Sequence, residues 1–74
     1  MSIKDEIIKE LKTCADNGYS AEEIFGDDFK DVLHVKVKGK LIDLYAFTHD
    51  VDLFILWHNE YGNLDYILGE EVGL

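Results

Sequence analysis

A chain of 74 residues, 47% of them hydrophobic, makes one small domain, too apolar for intrinsic disorder and so short that each large apolar side chain matters to its core. Its 16 acids against 7 bases, every base a lysine, give a formal net charge of −9 and exclude a nucleic-acid binder that works through a basic footprint. The longest apolar run, residues 53–57, is too short to span a bilayer, no charged-then-apolar leader opens the sequence, and the single cysteine, Cys14, has no internal disulfide partner, which fits a reducing, cytoplasmic setting.

Residues 3–15 are predicted as an amphipathic helix. Ile3, Ile7, Ile8 and Leu11, then Cys14 and Ala15, recur at helical spacing, Ser2 suits the N-cap, and Asp5 and Glu6 fall in the first turn where the helix dipole favours acids. Asn17-Gly18 is a stop signal. A second, short helix follows over 20–25: Ser20 with Glu23 makes a capping box, and Tyr19 with Ile24 a hydrophobic staple. Gly26, Asp27 and Asp28 end or loosen it, and Phe29 plugs the core.

From Leu33 the hydrophobic period becomes two. Strands are predicted over 33–38, 40–47, 51–58 and 64–68, with turns at Lys38-Gly39, at Thr48-His49-Asp50 and over residues 59–63, and a frayed tail over 69–74. The expected fold class is α+β: a single domain, 1–74, in which two N-terminal helices pack on one face of a four-stranded antiparallel β-meander, giving two layers.

Turn length sets register, and register sets which side chains share a face. A two-residue turn at Lys38-Gly39 pairs Leu33 with Leu44 and His34 with Asp43. A two-residue turn at His49-Asp50 pairs Ala46 with Leu53, Tyr45 with Phe54 and Phe47 with Asp52. One face then carries Leu33, Val35, Val37, Ile42, Leu44, Ala46, Val51, Leu53, Ile55 and Trp57, nearly all aliphatic, and is expected to meet the helices. A four-residue third loop adds Leu64, Tyr66 and Leu68 to it. The opposite face carries His34, Lys36, Leu41, Asp43, Tyr45, Phe47, Asp52, Phe54, Leu56, His58, Asp65 and Ile67. It mixes three carboxylates with aromatic and aliphatic groups, where a solvated antiparallel sheet face should be polar. A contiguous apolar patch of this kind marks a contact surface unless the tail or a second copy covers it.

Catalytic and metal chemistry find little support. Cys14 lies on a helix, away from any glycine-rich elbow, and reads as a small buried hydrophobe. His34, His49 and His58 share no recognised metal-ligand spacing, and His34 beside Asp43 and His58 beside Asp65 read as cross-strand pairs. No dinucleotide, phosphate-loop, C-x-x-C or H-E-x-x-H motif is present, so neither a cofactor nor enzymatic activity is expected.

Charge is uneven along the chain. Residues 1–40 hold 9 acids and all 7 lysines; residues 41–74 hold 7 acids, no Lys or Arg, and six of the nine aromatic residues. Such a field repels nucleic acid and anionic membrane and steers basic protein surfaces toward it. In size and charge, though in no motif, the chain resembles the small inhibitors that phages and mobile elements direct against restriction or CRISPR machinery. The resemblance implies an intracellular inhibitor or adaptor, in part a DNA mimic, that docks on a basic surface of a nucleic-acid-processing or defence enzyme without contacting nucleic acid itself. The expected contact residues are Asp43, Tyr45, Phe47, Asp50, Asp52, Phe54, His58, Glu60, Tyr61 and Asp65. A homodimer closed through the same sheet face is the alternative.

Overall fold

The structure, a computed structural model, describes residues 2–74. Helix α1 (Ile3–Asp16) and the short helix α2 (Ala21–Phe25) precede four strands, β1 (Leu33–Val37), β2 (Lys40–His49), β3 (Asp52–His58) and β4 (Leu64–Leu68). The strands form one antiparallel meander in the order β1-β2-β3-β4, so the predicted α+β architecture holds, with one long helix and one short one.

Local chemistry accounts for the helices. Ser2 Oγ accepts from the Asp5 amide and caps α1, and Gly18, in the left-handed region at φ 88°, turns the chain away beyond Asn17. At α2 the reciprocal capping box is complete: the Glu23 amide donates to Ser20 Oγ and the Ser20 amide to Glu23 Oε1, each at 3.2 Å. A short 3-10 turn, Asp27–Phe29, then carries Phe29 against the core.

The core lies between the helices and one sheet face. It contains Ile7 and Leu11 from α1, Phe25 from α2, and Val35, Val37, Leu44, Ala46, Ile55, Trp57 and Ile67 from the strands. Its largest fully buried side chains are Trp57 and Phe25. The tail is not frayed. Gly69–Val72 forms a 3-10 turn that places Val72 in the core and Leu74 against it, on the same side as the helices. Gly69 passes so close to Leu53 that a Cβ there would meet Leu53 Cδ2 at 2.7 Å. Val72 and Leu74 are apolar residues that a chain this small cannot leave unused.

Register departs from expectation at two of the three connections. The first holds as predicted: Lys38 and Gly39 both take positive φ, as a two-residue hairpin of the favoured hand requires, and Leu33 faces Leu44. At the second, the two turn residues are Asp50 and Val51, not His49 and Asp50, so His49 pairs with Asp52 and Phe47 with Phe54. Asp50 takes the left-handed conformation, φ 56°, which Asp tolerates better than most residues. Val51 consequently leaves the core face and is 97% exposed. Because the turn still holds two residues, the faces of β2 and β3 are unchanged.

The third connection changes a face. Five residues, 59–63, separate β3 from β4, and Trp57 pairs with Asp65, Leu56 with Tyr66 and Phe54 with Leu68. Asn59 organises them: its side-chain oxygen accepts from the Tyr61 and Asn63 amides, each at 3.0 Å, and its own amide donates to the Asn63 carbonyl. The tip is therefore Glu60-Tyr61-Gly62, closed by the Gly62 amide on the Asn59 carbonyl, with Gly62 left-handed at φ 80°. An odd loop reverses the parity of the strand that follows. Ile67, expected outside, is 1% exposed in the core, while Leu64, Tyr66 and Leu68, expected inside, lie on the outer face.

Candidate interaction face

The sheet face turned away from the helices is assembled by odd-numbered residues of β2 and even-numbered residues of β1, β3 and β4. Two cross-strand rows run through its middle. Tyr45, Leu56 and Tyr66 form one; Phe47, Phe54 and Leu68 form the other. Phe47 and Phe54 are stacked, centroids 5.1 Å apart and planes 11° from parallel, and Phe54 meets Tyr66 at 5.7 Å in a tilted pair. Such pairs are favoured arrangements of ring quadrupoles and lock the side chains against one another. Leu41 and Leu64 extend the apolar surface toward two of its edges. Both helices and the C-terminal turn pack on the other side, so Tyr45 and Phe47 remain 44% and 43% exposed and Tyr66 54%.

Polar groups border this patch. His34 and Asp43 pair across β1 and β2 as predicted, His34 Nδ1 lying 2.7 Å from Asp43 Oδ1. His49 Nδ1 lies 3.4 Å from Asp50 Oδ2 at the opposite end. Both pairs are largely solvated, and such exposed polar contacts contribute little to stability. Asp52 is exposed on the face opposite His49, and Asp50 stands in the adjoining turn. The revised register sets Asp43 and Asp52 six positions apart along neighbouring strands, about 20 Å at the usual rise. That is far sparser than phosphates along a duplex.

Of the residues singled out from sequence, Asp43, Tyr45, Phe47, Asp52, Phe54 and His58 share this face, and Asp50 borders it. Glu60 and Tyr61 are exposed at the tip of the β3–β4 connection, Tyr61 at 82%. Asp65 does not belong: it pairs with the inward-facing Trp57, is half-buried, and accepts a hydrogen bond from the Tyr66 amide. His58 accordingly faces Leu64 and not Asp65. Leu64, Tyr66 and Leu68 are the contributors that sequence patterning missed. The legible signal was Asn59 followed three residues later by Gly62, the pattern of a three-residue hairpin tip with its glycine in the left-handed position.

Elsewhere, a surface depression of about 440 Å³ lies between α2 and the C-terminal turn, lined among others by Tyr19, Glu22, Phe29, Leu53 and Leu74. It is on the helix side of the sheet. Cys14 is half-buried on α1, and burial, reinforced by the Glu10 carboxylate, raises its thiol pKa. Among the described residues no three His, Cys, Asp or Glu side chains converge as a metal site, and no helix is long and apolar enough to cross a membrane. Comparison with protein-family models, with curated proteins and with solved structures gives no match.

Proposed function

We propose that the chain is a cytoplasmic, non-enzymatic binding protein whose open sheet face docks on a basic surface of another protein, acting as an inhibitor or adaptor. A nucleic-acid-processing or defence enzyme is the proposed partner, because such enzymes carry the basic grooves that this charge distribution attracts. The observation that carries the proposal is the stacked row of Phe47 and Phe54, flanked by Tyr45, Leu56, Tyr66 and Leu68, on which none of the described helices or turns packs. Aromatic groups in such a patch supply the buried area of an interface, and the surrounding acids supply steering and register. With Asp43 and Asp52 so far apart, the acids guide approach and do not copy a phosphate ladder.

The test is capture from the native host, followed by affinity measurement on the purified partner. Three chains are compared: the parental one, Phe47→Ala with Phe54→Ala, and Asp43→Asn with Asp52→Asn. The aromatic pair is expected to weaken binding by about 30-fold or more, corresponding to roughly 2 kcal/mol. The amide pair is expected to weaken it less and to flatten its dependence on salt. A parental chain that forms a tight, salt-insensitive dimer through this face, with no partner bound, would replace docking by self-association.

A further inference from the structure

β4 is an edge of the sheet, and an unpaired edge presents amide donors to any strand that comes alongside. Which amides these are follows from the hairpin. The Asn59 amide bonds the Asn63 carbonyl, and in an antiparallel ladder hydrogen-bonded pairs alternate with non-bonded ones. Residues 65 and 67 therefore bond β3, and the amides of Leu64, Tyr66 and Leu68 point away from the sheet. Two of these three are occupied by carboxylates of the same chain. The Tyr66 amide donates to Asp65 Oδ1 at 2.9 Å, and the Leu68 amide donates to Glu71 Oε2 at 2.7 Å.

We infer that Asp65 and Glu71 are edge guards: each folds its carboxylate over an outward amide of β4 and so denies that edge to a second copy of the chain. β4 needs such a guard. It has no proline or lysine, and it carries Leu64, Tyr66 and Leu68 on its open face. Two copies joined antiparallel at β4 would continue both the sheet and its apolar face. A carboxylate on the amide removes the donor that the incoming carbonyl would need, and an acceptor tethered in the same chain outcompetes one that must arrive on a second copy. The half-buried placement of Asp65 on the inner side of an edge strand, unexplained by core packing, is what this task requires. The guards also direct binding to the open sheet face and away from its edge, independently of what binds there.

The experiment compares the full chain with two double variants, using light scattering for mass and amide exchange for the edge. Asp65→Ala with Glu71→Ala removes charge and acceptor together. Asp65→Asn with Glu71→Gln removes the same charge but keeps an acceptor oxygen. In the parental chain the Tyr66 and Leu68 amides are expected to exchange about tenfold or more slowly than the outward amide of Leu64. The alanine pair should lose that protection in its monomer at low concentration and, as concentration rises, exceed the parental mass. The amide pair should behave like the parent. Equal association of both pairs would identify charge repulsion as the guard and overturn the inference, as would an alanine pair with parental mass and exchange. If the alanine pair fails to fold, Asp65→Ala alone decides: loss of protection at Tyr66 but not Leu68 supports the assignment, and unchanged exchange at Tyr66 refutes it.

Discussion

Ile67 and Tyr66 are neighbours in β4 that point to opposite sides of the sheet, and truncating each in turn tests that orientation. Ile67 is 1% exposed and pairs with Ile55, which is fully buried. Ile67→Ala removes a branched side chain from the core and leaves a cavity, a change that costs about 2–5 kcal/mol. A domain of this length has roughly 4–11 kcal/mol of total stability, so even the lower cost is a large fraction. It corresponds to a fall in Tm of about 8–16 °C. Tyr66 is 54% exposed, and its ring meets Phe54 from the open side. Tyr66→Ala forfeits a half-solvated aromatic contact worth about 1 kcal/mol or less. Urea and thermal unfolding, followed through the fluorescence of the buried Trp57, separates the two. Ile67→Ala is expected to be the less stable variant by at least about 1 kcal/mol. A Tyr66→Ala protein less stable than Ile67→Ala would refute the five-residue connection and turn β4 over.

Asn59→Ala removes the acceptor for two loop amides and is expected to cost about 1–2 kcal/mol, read as a lower urea midpoint with an unchanged slope. A neutral result would show that backbone bonds alone hold the tip. Cys14, with its thiol pKa raised first by burial and then by Glu10, has less thiolate at neutral pH than a free cysteine and should alkylate more slowly in the native state than in urea. Because the folded state holds that proton more tightly, its contribution to stability is present at neutral pH and is lost as pH climbs through the thiol range. Native alkylation as fast as that of the unfolded chain, together with a flat alkaline stability profile, would contradict this environment.

Much of the fold was legible because local signals and periodicity agreed. Ser20 and Glu23 specify a capping box that forms as read, Lys38-Gly39 specifies a two-residue hairpin, and the aliphatic alternation from Leu33 to Trp57 picks out the core face of three strands. The β2–β3 turn slid by one residue without consequence for the faces, since Asp50 accepts a left-handed backbone and the loop length stayed even. The facing of β4 departs from the pattern for a physical reason. Hydrophobic pattern fixes register only where the apolar set is the buried set, and in residues 64–68 the even positions Leu64, Tyr66 and Leu68 are all apolar while the odd ones, Asp65 and Ile67, are mixed, so alternation alone turns the wrong set inward. Leu64, Tyr66 and Leu68 looked like the core set because the open face is itself apolar. The information that decides between the two placements sits in the loop, in Asn59 and Gly62, and not in the strand. Asp65 goes with the strand, which sets it on the inner side of the edge strand and off the open face.

The affinity of the captured partner for the parental chain and for Phe47→Ala with Phe54→Ala, measured at low and high salt, bears most directly on the role of the open face. A loss of about 30-fold at low salt, in a variant that still shows the native fluorescence of Trp57, is the expected result. Parental affinity in that folded variant would show that the partner is held elsewhere and that the stacked rings have another purpose.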